Sequence, residues 1–295
     1  MEFLKALMSR SVVENMLGGI AAAAVAALVG FGVRWWRSRR ITIRRLRIGT
    51  GRDVDELLAL YSSLFPPDGT NYTENEIAEF LGDDAETSPS RHVAVENMFF
   101  IAKIRGEVIG FIWSCYYPSR RSAIIPYYGI DKSVKEARLG VGIRLVRQLF
   151  NTLRKCTPAC RTVVFEVQKP NLTVDVEERR KRVARIRRFK DVGKQLSILI
   201  RELDFTYTRP RLSVADDPLA KEEELVLLMA RADETPWGDR LNRKTLTDLL
   251  TFLYHDCYGD VYSLDDPRHN DFHEYLRKRL CTVLASLPEQ IRLKS

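Results

Sequence analysis

The pattern of apolar and polar positions changes character near residue 40. Before it lies Met16–Val33, 18 residues without a charged side chain. After it, apolar positions recur with the period of two that marks strands or the longer period that marks helices. Ile41–Ile48 alternates apolar with basic residues, as a half-exposed strand does. Val54, Leu57, Leu58, Leu60, Tyr61 and Leu64 fit a helix that Pro66-Pro67 closes, and Thr73 with Glu76 makes the capping box of a second, short helix. Met98–Ile104 and Val108–Tyr116 read as a hairpin turning at Arg105-Gly106, and Ala123–Ile130 as the next strand. Ile143, Val146, Leu149, Phe150 and Leu153 then stripe a helix that opens on Gly140-Val141-Gly142. A strand over Arg161–Val167 and an arginine-rich helix over about residues 177–192, ended by Gly193, follow. Leu196–Leu203, with Phe205–Thr208 behind it, and Glu224–Ala230 read as further strands. Two helices close the chain, one carrying Leu246, Leu249, Leu250 and Leu253, the other Phe272, Leu276, Leu280, Val283, Leu284 and Leu287.

Composition adds the location. With 45% hydrophobic and 29% charged residues in 295, the chain is that of a folded protein. Its net charge of +8 comes mostly from seven arginines between Arg34 and Arg47, so it does not call for a nucleic-acid partner. The apolar run is about 27 Å long as a helix, close to the thickness of a hydrocarbon core. Trp35 and Trp36 follow at its boundary. A cleaved signal and a buried Ala/Gly-rich helix are the rival readings; an arginine cluster directly after the run favours a retained anchor. The excess of arginine on its C-terminal side places everything after residue 34 in the cytoplasm, on a single-pass cell-membrane anchor with residues 16–47 against lipid. The division expected is an anchor and stalk over residues 1–40, a folded domain over 41–230, and a helical extension over 231–295 packed on the same domain.

The remaining chemistry is sparse. Cys115, Cys156, Cys160, Cys257 and Cys281 lack zinc spacing and fit reduced thiols. His269 and His273 stand one helical turn apart, but the expected state is a solvent-facing pair and no metal site. The basic run Arg179–Lys194 reads as a solvated helix face, with binding of a phosphate, an acidic substrate, anionic lipid or RNA as its functional alternative. The G-x-G at a helix start is different: the first amides of a helix lack internal partners, and glycines let a phosphate approach them.

The order of elements, with Ala137-Arg138-Leu139-Gly140-Val141-Gly142 on the glycine turn, resembles the GNAT superfamily of acetyl-CoA-dependent N-acyltransferases. The family pattern there is Q/R-x-x-G-x-G/A; both glycines match, and Ala137 replaces the Gln or Arg. Val167-Gln168-Lys169-Pro170-Asn171 is similar to the family's V-x-x-x-N, and Phe189-Lys190-Asp191-Val192-Gly193 to its Y-x-x-x-G. The resemblance spans about residues 41–229 and implies an α/β (α+β mixed-sheet) fold, here preceded by one transmembrane helix and followed by two C-terminal helices.

It also implies a membrane-anchored acetyltransferase in which an amine attacks the thioester of acetyl-CoA directly, without a metal. Pantetheine would pair with Tyr128, Gly129 and Ile130 where the strand ending at Ile130 splays from Val163–Val167. The pyrophosphate would rest on the amides of Arg138, Leu139, Gly140, Val141, Gly142 and Ile143, with Asn171 beyond the next strand also on the cofactor. The family's proton-donating tyrosine falls at Phe189, and a base glutamate found in some members falls near Pro126. Glu166, Tyr127 and Tyr128 are therefore the expected catalytic residues, with the amine acceptor left open. The two substituted positions also motivate a second reading, a weakened enzyme that binds acyl-CoA as a sensor or scaffold.

Overall fold

The computed structural model describes residues 41–46, 51–66, 71–82, 93–134, 140–211, 222–233, 235, 238–259, 262 and 264–294. In chain order the elements are β1 (Ile41–Leu46), α1 (Arg52–Leu64), α2 (Glu74–Gly82), β2 (Glu96–Ile104), β3 (Glu107–Tyr117), β4 (Ser122–Ile130), α3 (Val141–Leu153), β5 (Thr162–Gln168) and α4 (Val176–Gln195). They continue as β6 (Ile200–Leu203), β7 (Tyr207–Arg209), β8 (Glu223–Arg231), β9 (Arg240–Asn242), α5 (Arg243–Thr251), α6 (His269–Ala285) and β10 (Gln290–Lys294). A π-helical turn, Phe252–Cys257, extends α5.

The strands form one mixed sheet in the order β1-β2-β3-β4-β5-β8-β6-β10-β9, with β7 also paired to β8. The β2–β3 hairpin turns through Arg105 (φ 54°) and Gly106 (φ 92°), the two left-handed residues that a tight hairpin turn needs. Pairing is antiparallel except between β4 and β5. Alternation along each strand sends apolar side chains to both faces, and helices cover both. On one face α3 buries Leu145, Val146, Leu149, Phe150 and Leu153 against Phe100, Ile112, Ile125, Val163 and Phe165. On the other, α1, α2, α5, α6 and the π turn bury Tyr61, Ile77, Leu246, Leu253 and Phe272 against Phe111, Trp113, Leu227 and Met229.

Several elements differ from expectation. The run at Leu196–Leu199 is not strand: α4 passes through Gly193 to Gln195, Ser197 takes a left-handed turn (φ 55°), and only Ile200–Leu203 pairs. The C-terminal segment is not helices alone, since β10 pairs with β6 and β9 with β10. The expected anchor at residues 16–33 lies outside the described residues. Among the described residues no helix is long and apolar enough to cross a membrane, which corrects the single-pass cell-membrane location. Arg44 and Arg45, expected near lipid, instead lie on β1 and pair with Asp53 (2.9 Å) and Glu96 (2.7 Å) of the same fold.

Because Phe272 lies in the same apolar cluster as α1 and the sheet, the C-terminal segment should not melt separately. Phe272→Ala is expected to lower the unfolding free energy by about 3–5 kcal/mol in one denaturant transition. A separate early transition with the main one unmoved would contradict this.

Candidate functional site

The local event that shapes the site is at Pro126. Trp113 of β3 faces Tyr127 and Cys115 faces Ile124, so the single Ser114 stands opposite both Ile125 and Pro126, a β-bulge in β4. Proline has no N–H for a ladder and is at home in bulges. The parallel ladder between β4 and β5 joins Ser122–Ile125 to Thr162–Phe165 and goes no further. Among the described residues, β4 runs on to Ile130 paired with β3 alone, while β5 runs on to Gln168 paired with β8 alone. Glu166 is the first residue of β5 past this fork.

On the α3 side of the fork stands the glycine turn. Gly140 takes a left-handed conformation (φ 83°) as the N-cap of α3 and supplies no side-chain cap. By contrast Asp175 caps α4 and Asn242 caps α5. The first amides of α3 therefore have no side-chain acceptor at the cap. Tyr128 reaches across from β4 so closely that a Cβ on Gly142 would overlap its hydroxyl. Its ring meets Phe189 of α4 at 5.7 Å, and Phe189 meets Phe165 of β5 at 5.0 Å. Burial pushes the Tyr128 phenol up to about 12, and the charge of Arg188 on α4 works the other way.

The opposite side of the fork is polar inside. The Tyr258 hydroxyl, just past the π turn, donates to Glu166 Oε2. Glu166 Oε1 is sealed from solvent without a hydrogen-bond partner, and so are Tyr207 Oη and Arg209 Nε on β7. Arg209 also pairs with Glu223 through Nη2 (2.9 Å). Burial raises the Glu166 carboxyl above its usual range, opposed by Arg209 and by the hydroxyls of Tyr258 and Tyr207. Burial and the neighbouring Glu166 charge hold the Tyr207 phenol far above its ordinary value, and the same two causes act on Tyr258.

The three residues expected to be catalytic are not brought together. Glu166 and Tyr127 share one face of the sheet, and Tyr128 faces the other. Tyr127 stacks on Trp113 (5.8 Å, 8°), meets Tyr61 and Phe65 edge-on, and accepts a hydrogen bond from the Tyr72 amide (3.1 Å). Its surroundings are those of a packed aromatic cluster. Gly129 lets Leu64 and Phe111 approach β4, and Ile130 packs beneath Gly142. Val141 is buried, Ile143 is half-buried, and Asn171 is exposed on a turn after β5. Arg138 and Leu139 lie outside the described residues. Sequence reasoning missed Tyr207, Arg209 and Tyr258.

Two cavities lie elsewhere. One of about 250 Å³ lies between α3 and the end of α4, and one of about 510 Å³ lies along α6 beside Arg211; neither is lined by a fork residue. His269 and His273 each bond a backbone carbonyl, of Tyr262 and of Gly259, both at 3.0 Å. Among the described residues no group of three or more His, Cys, Asp or Glu side chains is arranged to hold a metal ion.

No family model matches the chain, and no curated protein does. Solved structures resemble it at low identity. A probable acetyltransferase from Staphylococcus epidermidis is 10% identical with a TM-score of 0.43, over 65% of this chain and 98% of its own. An aminoglycoside 6'-N-acetyltransferase complexed with coenzyme A is 13% identical with a TM-score of 0.42, over 67% and 99%. An acetyltransferase of the GNAT family from Streptococcus pneumoniae is 15% identical with a TM-score of 0.39, over 65% and 99%. At TM-scores below 0.5 these likenesses assign neither a family nor an activity.

The contact between Tyr128 and Gly142 can be tested alone. Gly142→Ala should cost about 1–3 kcal/mol of stability by overpacking. Tyr128→Phe in the same chain should recover much of that, because the next atom of the ring, Cζ, lies 3.2 Å from the added Cβ. Strictly additive losses in a double-mutant cycle would show that the two residues do not touch.

Proposed function

We propose that this chain transfers an acetyl group from acetyl-CoA to an amine. The observation that carries the reading is the fork itself. Two neighbouring strands part immediately after Ile125 and Phe165, with an uncapped helix start on one side and, on the other, a half-buried glutamate whose Oε1 is sealed from solvent. Among the described residues, backbone groups of β4 over residues 127–130 have no strand partner on the β5 side, so an extended chain bearing amides can add there as a strand would. The pantetheine arm of acetyl-CoA is such a chain. Its diphosphate fits the open amides at the start of α3, where the helix dipole favours negative charge. Arg188, within electrostatic reach of Tyr128, adds positive charge nearby.

The thioester then lies near Glu166. The neutral amine attacks the carbonyl carbon, the C–N bond forms, and the C–S bond breaks. Glu166 Oε1 takes the amine proton, and coenzyme A thiolate leaves. Phe189 has no hydroxyl to donate, so the thiolate takes its proton from solvent. A carboxylate held above its usual range by burial is a stronger base toward the amine than an exposed one. Phe189, packed between Phe165 and Tyr128, also favours a second reading in which acyl-CoA binds without turnover.

One experiment separates the two. Calorimetry with acetyl-CoA is run beside a thiol-release assay over a panel of amines, on wild type and Glu166→Gln. The transfer reading expects binding in both proteins and a kcat lower by about 10²–10⁴ in the variant. The wild-type rate should fall on the acid side as Glu166 gains its proton, at a higher pH than for an exposed carboxylate. Binding without thiol release from wild type would favour the second reading, and no binding would end both.

A further inference from the structure

The carboxyl group at the fork is held by a segment that sequence periodicity does not connect to it. α5 winds into the π turn Phe252–Cys257, whose extra residue per turn shifts the helical register before Tyr258. Tyr254, inside that turn, donates its hydroxyl to the Thr208 carbonyl and so ties the turn to β7. Tyr258, one turn on, is buried and donates to Glu166 Oε2. The other carboxyl oxygen, Oε1, is sealed from solvent and receives no well-aligned hydrogen bond, while the Tyr207 hydroxyl lies beside the same carboxyl. A buried acceptor without a donor is costly in the free protein, and that cost is relieved when a ligand N–H arrives.

We propose that Tyr258 is a positioning residue for Glu166: it fixes Oε2, leaves Oε1 as the face offered to the acceptor amine, and makes the C-terminal segment part of the acceptor side of the site. This rests on the acetyl-transfer reading. The groups facing Glu166 are Tyr207 and Arg209 on β7, Glu223 on β8, and Tyr254, Cys257 and Tyr258 on and after the π turn. Among them Arg209 and the hydroxyls of Tyr258 and Tyr207 favour the ionised carboxylate, and Glu223 opposes it. Losing the Tyr258 hydroxyl removes a hydrogen bond to the charged form, so Glu166 should bind its proton more readily.

The test uses the full chain carrying Tyr258→Phe. The acid limb of the kcat profile is expected to move up by about one pH unit. The kcat at neutral pH should drop about ten-fold, with the KM for acetyl-CoA unchanged. An infrared pH titration of the protonated carboxyl band, assigned by its loss in Glu166→Gln, should move the same way without reference to activity. A second chain with 3,5-difluorotyrosine at position 258 keeps the shape and strengthens the donor, so limb and band should both move down. Limb and band at their wild-type positions in folded chains of both kinds would overturn the assignment. If the wild type shows no turnover, the transfer reading falls on that result, and the band alone decides whether Tyr258 holds the carboxylate.

Discussion

A proline without an N–H, set in a bulge, stands where the one parallel ladder among the described residues ends, and the two strands it joined then diverge. Up to Ile125 and Phe165 the pairing is regular, and past them each strand is paired on one side only among the described residues. Backbone donors and acceptors left without partners in a protein interior are costly, so such a divergence persists only where the surrounding packing holds it. Here α3 packs on one face of both strands, and α1 approaches β4 through Gly129 on the other. The same divergence leaves one edge of β4 without a described strand partner, and the proposed cofactor is to lie along that edge.

The two sides of the divergence are chemically unlike. The α3 side is apolar, with Tyr128, Phe165 and Phe189 in contact and an uncapped helix start above them. The other side keeps Glu166 Oε1, Arg209 Nε and the phenols of Tyr207 and Tyr258 away from solvent. An isolated buried carboxylate would be strongly disfavoured, so the nearby Arg209 and the Tyr258 hydrogen bond decide how much charge Glu166 keeps. These neighbours come from β7 and the C-terminal segment. That segment therefore reaches Glu166 as well as covering the core.

Much of this was legible in the chain. The hairpin through Arg105-Gly106, the stripe of Leu149 and Phe150, and the face alternation that sets Glu166 apart from Phe165 all follow from periods of two or 3.6. The glycine turn was readable because left-handed and close-approach positions ask for glycine. Pro126 was visible only as a departure from a family pattern, since a bulge depends on which residues of β3 stand opposite. Tyr258 could not be placed, because the π turn ends the helical periodicity at Leu253 before the tyrosine is reached. Tyr207 and Arg209 lie on a strand of three residues, too short to show a period. The alternation of Gln290–Lys294 was there to be read, but five residues at a chain end are easily passed over. The apolar run Leu196–Leu199 misled because a helix end and a tight turn bury the same residue types as a strand. Finally, an apolar run read as an anchor fell outside the described residues, and no described helix replaces it.

The central claim is that acetyl-CoA binds along the free edge of β4 and onto the start of α3. Amide hydrogen exchange of the full chain, with and without saturating acetyl-CoA, measures this most directly. The account predicts slower exchange at Tyr127–Ile130 and at Val141–Ile143, with smaller changes elsewhere. Unchanged exchange in both segments at saturation, or protection confined to the cavities beside α4 and α6, would contradict it.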